Sequence, residues 1–176
     1  MQNIIQRNDP ILRGIARSIT EEEISSAKLS IIIGKMKKAL SEQKDGIAIA
    51  APQIGENISL FVVSGSLLKQ ADKSYTGSDT YLIFINPEII KMSKRKNDVE
   101  EGCLSVRWLY GKVKRSMRVT LSALNEKGEK IERGASGLLA QIFQHEVDHL
   151  NGILFIDKAK EVWEMSESEI KELQGK

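Results

Sequence analysis

His145-Glu146-Val147-Asp148-His149 contains both histidines of the 176-residue chain. On a helix, positions four apart stand on one face, a turn from each other. Two imidazoles so placed can hold one divalent cation. Glu146, beside the first of them, can then aim its carboxylate at a water on that cation. Leu138, Leu139, Ile142, Phe143, Val147 and Leu150 make the segment apolar on more than one side, which predicts a buried helix. Buried His, Glu, Asp and His side chains need compensation, and a cation supplies it for three of them. A hydrogen-bonded polar cluster is the plainer alternative. The apolar setting, and the placing of both histidines in one motif, favour the metal.

A catalytic site of this type needs a third protein ligand. Two sources are open. Glu164, Glu167, Glu169 and Glu172 lie downstream, where zinc endopeptidases often find theirs. Cys103, in Glu101-Gly102-Cys103-Leu104-Ser105, is the softest donor in the chain and would bind as thiolate. Packing as a core thiol is its plain alternative; the glycine before it and Ser105 after it argue against a simple core strand.

The elements that must position these groups are legible in outline. Thr20 and Glu23 have capping-box spacing, and Leu29, Ile32, Ile33, Met36 and Leu40 recur at helical period, so a first helix ends before Gly46. Gly46 to Gly55 is nearly all small or aliphatic. Leu60 to Val63 and Tyr81 to Ile85 read as strands, the second stopped by Asn86-Pro87. Gly65 to Thr80 reads as a surface loop. Lys91 to Asp98 reads as a solvated connector whose Lys91, Lys94, Arg95 and Lys96 could alternatively meet an anionic partner. Arg118 to Leu124 and Lys130 to Glu132, around Asn125-Glu126-Lys127-Gly128, form a hairpin signal. A polar tail at about 158–176 carries a weak helical pattern. The expected fold is α+β, with short, mostly antiparallel strands around a buried central helix that carries the HExxH-type motif.

Composition bounds the rest. The length suits a single domain over 1–176. Hydrophobic residues at 41% and charged residues at 28% are globular usage. One cysteine excludes an intrachain disulfide and suits a reducing compartment. A net charge of +2 gives no reason to expect direct nucleic-acid or membrane binding. The N-terminal residues lack a signal-peptide pattern, so a cytoplasmic protein is expected. A monomer is expected, because no exposed apolar stripe calls for a partner.

Three segments together resemble the peptide deformylase family. They are Gly46-Ile47-Ala48-Ile49-Ala50-Ala51-Pro52-Gln53-Ile54-Gly55, Glu101-Gly102-Cys103-Leu104-Ser105 and Gln144-His145-Glu146-Val147-Asp148-His149. Asp9-Pro10-Ile11-Leu12-Arg13 and Ile85-Asn86-Pro87-Glu88 resemble its flanking sequence. The resemblance implies Cys103, His145 and His149 as metal ligands, with water or hydroxide in the fourth position. It implies Glu146 as general acid/base, with the Gln53 amide and the Leu104 N–H as donors to the formyl oxygen. The implied activity is metal-dependent hydrolysis of the N-terminal formyl group from formyl-methionine of nascent polypeptides, releasing formate. The implied metal is ferrous iron, with zinc, nickel or cobalt also accommodated. Gly46, Ile47 and Ala48 would border the substrate, and Leu138, Gln141 and Ile142 would complete the methionine pocket. Glu101 is expected to pair with Arg115.

Three departures from the family pattern stand out. Ala48 replaces a usual glycine. Arg107-Trp108 follows Val106 where proline is common; a solvent-facing arginine is the plain expectation, contact with substrate carbonyls the alternative. The tail carries Glu161, Glu164, Glu167, Glu169 and Glu172, which does not suit ribosomal RNA. A non-catalytic domain with a structural metal is the rival from outside enzymology.

Overall fold

The computed structural model describes residues 3–73, 75–77 and 80–174, the last two of these by backbone only. In chain order the helices are α1 (Glu21–Ile24), α2 (Ala27–Ser41), α3 (Gly65–Ala71), α4 (Gly137–Leu150) and α5 (Glu167–Gln174). The strands are β1 (Ala48–Ala50), β2 (Leu60–Ser64), β3 (Tyr81–Met92), β4 (Lys96–Gly102), β5 (Leu109–Ser116), β6 (Arg118–Leu124), β7 (Lys130–Ser136) and β8 (Ala159–Glu164). They form a five-stranded sheet ordered β1-β2-β3-β6-β7 and a three-stranded sheet ordered β4-β5-β8. Every pair of neighbouring strands is antiparallel. The result is a mixed helix and antiparallel-sheet fold.

The unbroken apolar run of β2 follows from burial on both sheet faces. Leu60 and Val62, with Ile83 and Ile85 of β3, pack against Leu29, Ile32, Ile33, Met36 and Leu40 of α2. Phe61 and Val63, with Leu82 and Phe84, pack against Leu139, Ile142 and Phe143 of α4. The two-residue period of a strand sends alternate side chains to the two helices. Phe61, Phe84 and Phe143 meet with centroids 4.8, 5.0 and 6.0 Å apart. Such ring pairs contribute about 0.5–1.5 kcal/mol each beyond area burial. α4 also contacts β5, so it touches both sheets.

Several local expectations are corrected. The Thr20–Glu23 capping box is present, but it caps the one-turn α1; α2 has its own cap, the Ser26 hydroxyl accepting the Leu29 N–H. Residues 65–71, expected in a loop, form α3, because the Ser64 hydroxyl caps it and Leu68 is buried; residues 74, 78 and 79 of that expected loop lie outside the described residues. Asn86-Pro87 does not stop β3. It sits at a register shift between Ile85 and Glu88, which accommodates proline's missing donor. Asn86 takes φ 48°, and its side-chain amide grips the Ile19 backbone through two bonds of 2.8 Å. The basic connector is largely strand: β3 runs to Met92 and β4 starts at Lys96. The tail is not a plain polar appendage. Ala159–Glu164 pairs with β5, and helix resumes only at Glu167. No helix among the described residues is long and apolar enough to cross a membrane.

Candidate metal centre and active-site cleft

α4 carries His145, Glu146 and His149, and Cys103 arrives in the turn directly after β4. One ligand atom from each of Cys103, His145 and His149 lies within 4.8 Å of the others. Cys103 Sγ stands 3.1 Å from His149 Nε2. The Ser105 N–H points at the same sulfur from 3.4 Å. None of the four tail glutamates joins this group among the described residues; all lie exposed in β8 or α5.

A chain of polar groups behind His145 fixes its orientation. Arg115, buried on β5, donates to both Glu101 oxygens, from Nε at 2.7 Å and Nη2 at 2.9 Å. Its Nη1 donates to Asp148 at 2.6 Å, and Lys158 Nζ meets the other Asp148 oxygen at 2.6 Å. Glu101 Oε2 also lies 2.9 Å from His145 Nδ1. The carboxylate thus makes Nδ1 the hydrogen-bonded nitrogen and leaves Nε2 for ligation. The expected Glu101–Arg115 pair is present. Sequence reading missed its extension to Asp148 and Lys158. Asp148, the one aspartate of a largely buried helix, was the available signal, but Lys158 lies beyond that helix and gave none.

Gln144 ties α4 down next to His145. Its Oε1 accepts the Ser116 N–H at 2.9 Å, and its Nε2 donates to Ser116 O at 3.0 Å and Ala140 O at 2.9 Å. Gln53, 2% exposed, has its Oε1 occupied by the Ala50 N–H at 2.8 Å. Its Nε2 therefore faces Ser105 Oγ at 3.0 Å and Cys103 Sγ at 3.6 Å. Ser105 as holder of Gln53 is a second feature absent from the sequence reading.

Burial and charge shift the titrations. Burial pushes the Cys103 thiol up, but His149 and His145 more than reverse this and bring it to about 5. Burial also raises the Glu101 carboxyl, and Arg115 and His145 overcome it, to about 2. Burial pushes the Glu146 carboxyl up to about 6 against the opposing pull of His145 and His149. A thiolate, two imidazoles and a nearby carboxylate make a donor set suited to a divalent cation. Glu146 Oε2 and His149 Nδ1 are buried without a hydrogen-bond partner. Leaving a buried carboxylate oxygen uncompensated is costly, and a cation beside it offsets that cost. The residues fit a bound metal.

A cleft opens beside this group. Its walls include Gly46, Ile47, Ala48, Gln53, Leu104, Leu138, Gln141 and Ile142, so every residue expected to border substrate lines it, along with Cys103, His145 and Glu146. The Gln141 side chain crosses the wall to donate to Glu100 O at 2.7 Å. Gly46 also has a packing use. A Cβ there would stand 2.8 Å from Leu104 Cδ1 and 3.2 Å from Gln43 Cβ, so Leu104 itself occupies that space. Arg107 is corrected too: it is not solvent-facing. It pairs with Asp45, donates to Gln43 Oε1 at 2.8 Å and lies 4.8 Å over the Trp108 ring. This joins the loop before β1 to the loop after Cys103.

Fold and site together define a mixed helix and antiparallel-sheet protein with a Cys-His-His group competent to hold one metal ion. The family model for polypeptide deformylase matches residues 1–164. A peptide deformylase from Halothermothrix orenii is 43% identical over 157 residues, covering 89% of this chain and 92% of that protein. Peptide deformylase 2 of Clostridium acetobutylicum is 40% identical over 161 residues, covering 92% and 97%. The crystal structure of a class I type b peptide deformylase from Acinetobacter baumannii bound to Met-Ala-Ser superposes with a TM-score of 0.78 at 32% identity, covering 88% of this chain and 96% of that one. The chain belongs to the polypeptide deformylase family.

Proposed function

We propose that this chain is a peptide deformylase: a metal-dependent hydrolase that removes the N-terminal formyl group from nascent polypeptides beginning with formyl-methionine. The observation that carries the reading is the convergence of Cys103, His145 and His149 next to the buried Glu146 carboxylate. Cys103, His145 and His149 would hold one divalent cation, natively ferrous iron; zinc, nickel and cobalt suit the same donors. When bound, the cation supplies Lewis acidity, which draws the pKa of water from ~16 towards ~7.

The remaining steps belong to the chain's own side chains. Glu146 takes the proton of the attacking water and passes it to the departing amine nitrogen as the C–N bond breaks and formate leaves. Its upward-shifted carboxyl suits a group that must gain and lose that proton. The Gln53 amide and the Leu104 N–H donate to the formyl oxygen as charge builds on it; a contact of this type is worth ~3–4 kcal/mol. Gln53 is already turned for this task, because the Ala50 N–H holds its carbonyl end.

β1 is the edge strand of its sheet. Ser64 N–H bonds Ile47 O at 2.8 Å, and Ile49 stands opposite Val62. Ladder alternation then directs the Ala48 N–H and C=O away from β2, where an extended peptide can pair. Ile47, Leu138 and Ile142 form the apolar walls for methionine, with Gln141 nearby. The α4 helix is the central helix that presents the motif, and residues 1–176 act as one catalytic domain. The enzyme works as a cytoplasmic monomer, and the acidic α5 is not its route to a ribosome.

Release of formate and free amine from formyl-Met-Ala-Ser, by protein loaded anaerobically with ferrous iron, tests the proposal. Turnover is expected. Absence of turnover with iron, zinc, nickel and cobalt alike would overturn it.

A further inference from the structure

Arg107-Trp108 departs from the family pattern, and the proposed chemistry uses neither side chain. Both line the cleft. Arg107 pairs with Asp45 and donates from Nη2 to Gln43 Oε1 at 2.8 Å, so the loop after Cys103 is tied to the loop before β1. Its guanidinium also lies 4.8 Å from the centre of the Trp108 ring. The backbone of Trp108 is held separately, because its O accepts the Met165 N–H at 2.9 Å just after β8. Two residues on, Tyr110 stands opposite Gly102, and a Cβ on Gly102 would come within 2.5 Å of the tyrosine Cε1. Trp108 and Tyr110 thus give the cleft a braced aromatic rim.

Where this rim falls along a bound peptide follows from β1. Gln53 comes just after β1 and reaches towards Cys103 Sγ, whereas Asp45 comes just before it. With the formyl group at Gln53, a peptide paired along β1 runs antiparallel to it and departs towards Gly46 and Asp45. Two residues beyond methionine carry the chain about 7 Å that way. There it meets the end of the cleft that Arg107 closes with Asp45. Side chains of an extended peptide alternate, so the third residue faces the protein on methionine's side and the second faces away.

We propose that Trp108 is a specificity-determining residue: its ring, braced by Arg107, receives the side chain of the third residue of the formyl-Met peptide and favours a large aliphatic or aromatic one. The inference rests on the deformylase reading and deepens it. Among the described residues Arg107 is the only lysine or arginine lining the cleft, and Asp45 already compensates it. Asp45 and Glu100, on the same walls, disfavour an acidic third residue. The half-buried indole supplies apolar surface there, which a serine side chain cannot use.

Formyl-Met-Ala-Ser, formyl-Met-Ala-Leu and formyl-Met-Leu-Ser, assayed with the iron-loaded full chain, test this. Leucine in third place should raise kcat/KM about 10-fold over serine, mainly through KM, and leucine in second place should not. Trp108→Ser should bring that ratio to within about 2-fold of unity, and Trp108→Phe should keep about half of it. A readout without turnover uses Trp163→Phe, in which Trp108 is the only tryptophan left. There the product peptide Met-Ala-Leu should shift the emission to the blue, and Met-Leu-Ser should not. With hydrolysis intact, the inference is overturned by equal kcat/KM for the Leu and Ser peptides, by a preference tied to second place, by a preference that survives Trp108→Ser, or by an unmoved emission. No turnover of any of the three peptides would overturn the deformylase reading itself, and this inference with it.

Discussion

Glu101 Oε2 lies 2.9 Å from His145 Nδ1 while Arg115 holds the same carboxylate through two donors. One buried acid thereby links a proposed metal ligand on α4 to β4 and β5 of the three-stranded sheet. Arg115 in turn reaches Asp148, one residue before His149 on the same helix. The orientation of the His145 imidazole depends on this guanidinium through Glu101, and the same guanidinium anchors the helix beside His149.

Loss of that orientation should appear as loss of metal. Glu101→Gln keeps the shape but weakens the pairing, and metal affinity is expected to fall ~10–100-fold. Competition with a chromophoric chelator measures it. Arg115→Met should cost more, about 3–5 kcal/mol of stability in urea unfolding, because Glu101 loses both guanidinium bonds and Asp148 keeps only Lys158.

Ligand and base should separate cleanly. Cys103→Ser is expected to lose both metal and activity. Glu146→Ala should keep the metal, counted by elemental analysis, and lose ~10²–10⁴ in rate. Activity retained in Cys103→Ser would instead favour a tail glutamate as ligand, which the geometry disfavours.

Gly111 makes a separate demand on the fold. A Cβ there would stand 2.7 Å from Glu161 O and 2.9 Å from Ala159 Cβ. The clash is with the backbone of β8 and cannot be relieved by a rotamer. Gly111→Ala should destabilise by ~1–3 kcal/mol. Hydrogen exchange over residues 159–164 should rise before it does in β2 or β3.

Acid should weaken the link between the N-terminal segment and α1. Hydrogen bonds from Arg17 and from the Thr20 backbone hold the Glu23 carboxyl at about 2, below its ordinary 4.5. A depressed carboxylate pKa stabilises the fold above about 4.5, and this contribution disappears as pH falls towards 2. Glu23→Gln should therefore flatten the unfolding-midpoint curve across that window and leave it flat above. The pair is exposed, so added salt should shrink the difference.

The sequence by itself singled out candidate donors. His145 and His149 were legible because histidine is scarce in this chain and their four-residue spacing maps directly onto a helical turn, with Glu146 beside them; Cys103 stood level with the tail glutamates as third ligand until the family resemblance favoured it. The α2 face and the β6–β7 hairpin were legible for a similar reason: period and turn chemistry are local. What failed was non-local. Residues 159–164 read as polar tail because an edge strand needs no apolar run once β5 supplies its ladder. Asn86-Pro87 read as a stop because the bulge that admits proline is set by pairing with β6. Arg107 read as solvent-facing because its partners, Asp45 and Gln43, lie on a different segment. Only tertiary structure could assemble Glu101, Arg115, Asp148 and Lys158 into one chain of charge, buried except at Lys158, or bond Arg118 to Ser93. Burial energies and charge pairing act through space, and four elements distant in sequence carry no mutual spacing that a linear pattern can show.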